Sequence, residues 1–177
     1  SIGPNCAFVP GDITSDADRR RMIEEAVRHG DGLQGLVNTA GNMLRGAITE
    51  LLAEDIASLL DSNVIAGMML AGLAVPHLEK QGGAVLFVGS VHTRRAFPLA
   101  SAYAASKGAV EVLSRVLAAE LGPRRIRVNC LVPGAVPTEI NVRAGVAQSM
   151  EQNLARLKSL ESDHPLGRIG TPSEIAE

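Results

Sequence analysis

Short apolar runs alternate with longer amphipathic stretches along the 177 residues. Residues 7–9 (Ala-Phe-Val) predict a short strand ending in Pro10-Gly11-Asp12. Thr14 or Ser15 then caps a helix of about fourteen residues that stops at Gly30. Residues 35–38 form a second strand, turning at Thr39-Ala40-Gly41, and a long helix covers 53–80 before Gln81-Gly82-Gly83. Residues 84–88 are apolar at every position, the pattern of a strand buried on both faces. A helix over 101–121 is stopped by Gly122-Pro123, and 127–132 is the fourth strand, running into Pro133-Gly134. Strand and helix alternating in this way predict an α/β fold: one domain, a parallel sheet, helices on both faces. Beyond Thr138 the chain turns polar and irregular. Residues 150–160 are its best helix, and the stretch up to Arg168 reads as a loop or lid over a site. Thr171-Pro172-Ser173-Glu174 opens a last helix.

Composition narrows the function. A hydrophobic content of 46% with 20% charged residues is that of a globular domain rather than a disordered chain. Aromatics are scarce, so the core must be built from Ala, Val, Leu and Ile. A net charge of −2, no basic stripe and few stacking rings argue against nucleic acid as a partner. The longest apolar run, 64–75, is twelve residues and ends at Pro76, which predicts a buried helix rather than a membrane span. Cys6 and Cys130 fall in separate strand-like runs and read as buried thiols; no set of metal ligands is expected. No signal peptide is visible, which makes a reducing cytoplasm the expected compartment.

The chemistry concentrates after the third strand. Tyr103 is the only tyrosine, and Lys107, one of three lysines, follows it by four residues. On a helix both side chains leave one face. An ammonium fixed beside a phenol favours the phenolate, so Lys107 is expected to lower the Tyr103 pKa. The strand ends supply further polar groups: Asp12, Asn38 to Gly41, Gly89-Ser90 and Pro133-Gly134. In open α/β sheets ligands sit beyond these carboxyl ends. Ile56, Leu60, Asn63, Gly67 and Ala71 follow helical spacing, which places the Asn63 amide on an apolar stripe. A buried amide needs hydrogen-bond partners, whether neighbouring backbone or a held water. Each group also has a plainer use: Ser90 as a turn cap, Asp12 as a helix-entry residue, Gly41 and Gly134 as turn formers. His29 and His77 lie near helix ends and read as surface or capping residues, while His92 follows Ser90 by two and is a candidate for the substrate pocket.

Taken together, these residues resemble the short-chain dehydrogenases/reductases, Rossmann-fold enzymes that move hydride between NAD(P) and a carbonyl or alcohol. The family's Asn-Asn-Ala-Gly turn appears as Asn38-Thr39-Ala40-Gly41, its Tyr-x-x-x-Lys as Tyr103 to Lys107, and its Pro-Gly-x-Val-x-Thr as Pro133 to Thr138. Its serine, thirteen before the tyrosine, lands on Ser90, and its helix asparagine, forty before, on Asn63. The resemblance covers essentially the whole chain. It implies a Rossmann-like doubly wound parallel sheet in which Asn63, Ser90, Tyr103 and Lys107 are catalytic. Asp12, Ile13, Asn38, Ala40, Gly41, Tyr103, Lys107, Pro133, Gly134, Val136 and Thr138 would contact NAD or NADP, and Ser90, His92 and Tyr103 the substrate. That substrate would be a small carbonyl or secondary alcohol, either a 3-oxoacyl thioester or a sugar or polyol. Members commonly form dimers or tetramers through the two long helices, so a homodimer or homotetramer is expected.

The family's Thr-Gly-x-x-x-Gly-x-Gly turn does not occur in these residues. The resemblance therefore implies an incomplete sheet, with the first two family strands and the last one absent. A fragment of that kind is expected to be poorly stable, to bind cofactor weakly and to be inactive alone. The alternative function is a non-catalytic Rossmann-fold module that binds nucleotide or protein. Such a module has no reason to keep Asn63, Ser90, Tyr103 and Lys107 together.

Overall fold

A computed structural model describes residues 5–177. Helix α1, Asp16–Gly30, starts where the Ser15 side chain accepts from the Asp18 backbone N–H and ends as Asp31 turns left-handed. Strand β1, Gly35–Asn38, follows. The long helix is continuous but not uniform: α2, Ala53–Leu60, passes through a π-helical turn, Asp61–Ile65, into α3, Ala66–Leu78. Strand β2 is Gly83–Val88, α4 is Ser101–Leu121, and β3 is Ile126–Leu131. Three short helices close the chain: α5, Ile140–Arg143; α6, Met150–Lys158; and α7, Pro172–Ala176.

The sheet has order β1-β2-β3, and both pairings are parallel. Register sets Val85 beside Leu36 and Val128, and Phe87 beside Asn38 and Cys130. One core joins α1 (Ile23), α3 (Leu70, Ala74, Leu78), the sheet (Val85, Phe87, Ile126, Val128) and α4 (Val110, Leu121). Helix α3 packs on β1 and β2, and α4 packs on β3 and β2. This leaves the strands' carboxyl ends open between the loops, where a ligand site belongs.

Four expectations need correction. No strand forms at 7–9; Phe8 is 82% exposed, and with no ladder partner beside it the segment cannot satisfy a strand's backbone groups. Strand β2 is fully buried only at Val85 and Phe87, the residues that face the main core; the alternate positions are half-buried. Cys6 is exposed and only Cys130 is partly buried, because the strand that was to bury Cys6 does not exist. Finally, the apolar run at 64–75 belongs to a helix from Ala53 to Leu78, which is long and apolar enough by length and composition to cross a membrane. Its Leu70, Ala71, Ala74, Val75 and Leu78 side packs into the core.

Candidate active site

The exits of β2 and β3 are laced together. The Gly89 N–H donates to the Leu131 carbonyl at 2.7 Å and the Val91 N–H to the Pro133 carbonyl at 2.9 Å. A side chain at Gly89 would start 3.0 Å from the Cys130 sulfur, a crowded approach that glycine leaves free. Ser90 leaves the strand in extended conformation, buried, as the cap of a 3-10 turn over Val91–Thr93. Its hydroxyl accepts from the His92 N–H at 3.3 Å and lies 3.0 Å from His92 Nδ1.

Helix α4 brings Tyr103 and Lys107 to the same place. Both are buried, on one face as the four-residue spacing requires. His92 meets the Tyr103 ring edge-on, centroids 5.1 Å apart. The Lys107 ammonium stands 5.8 Å over the Tyr103 ring and donates to the Val88 carbonyl at 2.8 Å. The expected lowering of the phenol pKa does not appear. Burial holds it above its usual value, with the Ser90 hydroxyl opposing. Burial likewise holds Lys107 below its usual range. The reason is geometric: the ammonium sits over the ring and bonds a carbonyl, while the phenolate would have to exist in a dry wall.

Asn63 occupies the π turn and is 1% exposed. Its Oδ1 accepts from the Asn42 N–H at 2.7 Å, and its Nδ2 donates to the Asn42 carbonyl at 2.9 Å and to Ser106 Oγ at 3.0 Å. Ser106 in turn donates to the Tyr103 carbonyl at 2.8 Å. The amide thus ties the loop after Gly41 to the helix that carries Tyr103. Sequence reasoning missed Asn42 and Ser106. Ser106 stood in plain view inside Tyr-Ala-Ala-Ser-Lys, one turn from the tyrosine, while nothing at Asn42 signalled its role.

The remaining candidates divide. Asn38 is buried at the end of β1, its carboxamide oxygen lacking a partner, with Ala40 and Gly41 following it toward Lys107. Pro133, Gly134, Val136 and Thr138 line the exit of β3; the Thr138 carbonyl accepts from Asn153 of α6 at 2.9 Å. Asp12 is exposed and engaged locally, its carboxylate accepting from the Thr14 N–H and hydroxyl, which lowers its pKa. Ile13 packs against the main core. His29 is exposed, as expected of a helix end, and its ring lies 2.9 Å from the Asn5 carbonyl.

The residues present fit the nicotinamide end of a dinucleotide. Lys107, buried, spends one of its N–H donors on Val88 and has others for a hydroxyl-rich group such as ribose. At Gly41 a side chain would press 3.2 Å from Asn63 Oδ1 and 3.5 Å from Lys107 Nζ, so glycine keeps the approach to that ammonium clear. The unpartnered Asn38 oxygen faces the same need for a polar ligand.

Comparison with known proteins agrees with this arrangement. The family described as enoyl-(acyl carrier protein) reductase matches residues 1–177. An uncharacterised oxidoreductase of Methylorubrum extorquens is 37% identical over 177 residues, covering 99% of this chain and 68% of the relative. L-fucose dehydrogenase of Rattus norvegicus is 32% identical over 175 residues, 95% of this chain and 62% of the enzyme. Among solved structures, NADP-bound ElxO superimposes with a TM-score of 0.81 at 26% identity, over 96% of this chain and 67% of that one. The chain therefore spans roughly two thirds of the length of the relatives it matches. It belongs to the short-chain dehydrogenase/reductase family of NAD(P)-dependent oxidoreductases.

Proposed function

We propose that this chain carries the proton-transfer centre of an oxidoreductase that interconverts a small carbonyl compound and a secondary alcohol. The observation that carries the reading is the gathering of three buried side chains at the exit of β2: Ser90 Oγ lies 3.0 Å from His92 Nδ1, that ring meets Tyr103 edge-on at 5.1 Å, and the Lys107 ammonium stands 5.8 Å over the Tyr103 ring. Bound nicotinamide supplies or accepts the hydride. A phenol already holds its proton at neutral pH, burial tightens that hold on Tyr103, and the neutral phenol is the form able to protonate a carbonyl oxygen. Ser90 holds the same oxygen beside the phenol and stabilises charge that develops there. Lys107 stands over the ring, placed to stabilise the phenolate after the proton leaves. Asn63 fixes the Asn42 loop against α4 and so keeps this geometry.

Asn38, Ala40, Gly41 and the stretch Pro133 to Thr138 would hold the cofactor with Lys107, while His92 lines the substrate side. L-fucose dehydrogenase among the relatives supports a sugar or alcohol substrate, and the enoyl-(acyl carrier protein) reductase description supports a thioester. We place the enzyme in the cytoplasm as a dimer or tetramer, supported by exposed apolar stripes on its long helices.

The test is Tyr103→Phe in the enzyme made from its complete reading frame, followed by nicotinamide absorbance with a panel of ketones and alcohols. Turnover should fall by about 10²–10⁴-fold, the usual worth of a positioned acid. Cofactor affinity should stay within about twofold, a change of some 0.4 kcal/mol. Unchanged turnover would remove Tyr103 from the chemistry.

A further inference from the structure

The Ser90 hydroxyl has one proton and two lone pairs to place, and its neighbours settle where they go. The turn that carries it is fixed. The Thr93 N–H and hydroxyl both donate to the Ser90 carbonyl, at 3.0 and 2.9 Å, and the Val91 N–H donates to the Pro133 carbonyl at 2.9 Å. Within that turn two nitrogens of His92 approach the Ser90 oxygen: the backbone N–H at 3.3 Å and ring Nδ1 at 3.0 Å. The ring is itself held. Phe97 lies against it with centroids 4.3 Å apart and planes tilted by 33°, and Tyr103 meets it edge-on at 5.1 Å. Its second nitrogen, Nε2, is buried and has no hydrogen-bond partner among the described residues.

These contacts distinguish the two neutral forms of the imidazole. Burial foremost holds His92 below its usual pKa, so one ring nitrogen carries a proton and the other does not. If Nε2 carried it, a buried N–H would lack an acceptor, and the Ser90 proton would go to Nδ1. Unmatched buried N–H groups are rarer than unmatched buried acceptors. With the proton on Nδ1, the unmatched atom is a bare acceptor instead, and Ser90 receives from His92 twice. Both lone pairs of its oxygen are then occupied. Its one remaining capacity is to donate, and a donating hydroxyl is what stabilises negative charge on a substrate oxygen.

Resting on the oxidoreductase reading above, we infer that His92 is a positioning residue: as the Nδ1–H tautomer it fills the lone pairs of Ser90 and turns the single Ser90 proton toward the substrate oxygen. Two arms test this in the full-length enzyme. The first uses substitutions that separate the bond from the ring. His92→Phe keeps a ring against Phe97 and Tyr103 but has no donor, whereas His92→Asn loses the ring and keeps an N–H near the Nδ1 position. With nicotinamide absorbance as the readout, kcat should fall about tenfold in His92→Phe, the range of one hydrogen bond, and no more than about threefold in His92→Asn. In a Ser90→Ala background, His92→Phe should cost nothing further. A ring needed only for packing gives the opposite order, Asn worse than Phe, and that order overturns the inference. Full additivity in the Ser90→Ala background does the same. The second arm needs no turnover: nitrogen NMR of the histidine ring at neutral pH should show the proton on Nδ1 in wild type and a move toward Nε2 in Ser90→Ala. A wild-type ring protonated on Nε2 overturns the inference even where the Asn variant does not fold. Wild type that turns over no carbonyl would instead sink the oxidoreductase reading, and the NMR arm would still decide the tautomer.

Discussion

Asn63 shows how much a single buried amide can hold. Replacing it with alanine would take one donor from the fully buried Ser106 hydroxyl and free the N–H and carbonyl of Asn42, an exposed residue whose backbone can turn to water. Orphaned groups of that kind cost about 1–3 kcal/mol each where they stay dry. With only the Ser106 site dry, the expected loss for Asn63→Ala is about 1–3 kcal/mol, read as a lower urea midpoint at unchanged slope. An unchanged midpoint would mean that the amide's three bonds add nothing net to stability. The sequence placed Asn63 on the apolar stripe, because helical spacing reports which face a residue takes. It could not report that the partner would be a loop 21 residues earlier. Tyr103 and Lys107 were legible as a pair for the same reason, yet the sign of the phenol shift was not. Charge proximity is visible in spacing, whereas desolvation depends on walls built from distant parts of the chain, and here desolvation prevails.

Elements were legible where local signals agreed and illegible where pairing decided. Helix α1 began at one of two proposed caps because Ser15 can accept from Asp18, and α4 fell where periodicity put it. The π turn at Asp61–Ile65 has no signature in the hydrophobic pattern, since one extra residue in a turn shifts the stripe only slightly. Segment 7–9 had strand composition but no neighbour to pair with, and a strand is a property of the pair. The last helix was announced by Thr171-Pro172-Ser173-Glu174, and both halves of the capping box form: Thr171 accepts from the Glu174 N–H while the Glu174 carboxylate accepts from the Thr171 N–H at 2.9 Å. Glu174 is also gripped by Arg168, the main reason its pKa falls from 4.5 to about 2. A carboxyl lowered in the folded state stabilises the cap above its unfolded pKa and stops doing so as pH falls through the folded one. Carbon-detected titration of the Glu174 carboxyl should therefore show a midpoint near 2, with the α7 amide shifts moving together between pH 4.5 and about 2. A midpoint near 4.5 would show that the cap and the Arg168 contact do not form in solution.

At the scale of the whole molecule, the two long helices lie side by side, α4 packing on α2 and the π turn, and both keep apolar side chains facing outward. On the 53–78 helix these are Ile65, Met68 and Met69, which share a face by their spacing; on α4 they are Val112 and Val116, one turn apart. Each is between 45% and 56% exposed, which leaves much apolar surface uncovered. Fully burying a side chain of this size contributes about 1.5–3 kcal/mol, and several half-buried ones on each of two subunits reach the scale that holds a dimer together. The same helices are anchored inward by the core, so the outward stripes are fixed in place rather than free to turn in. If association uses them, a single charge on the stripe should break it. Val116→Glu in the full-length enzyme is expected to shift the mass seen by light scattering from dimer or tetramer toward monomer, because the carboxylate would be buried without a partner. The core should be untouched, since Val116 is exposed in the single subunit, and thermal stability measured at low concentration should change little. An oligomer that survives Val116→Glu, and survives Met69→Lys as well, would place the subunit contact on another face.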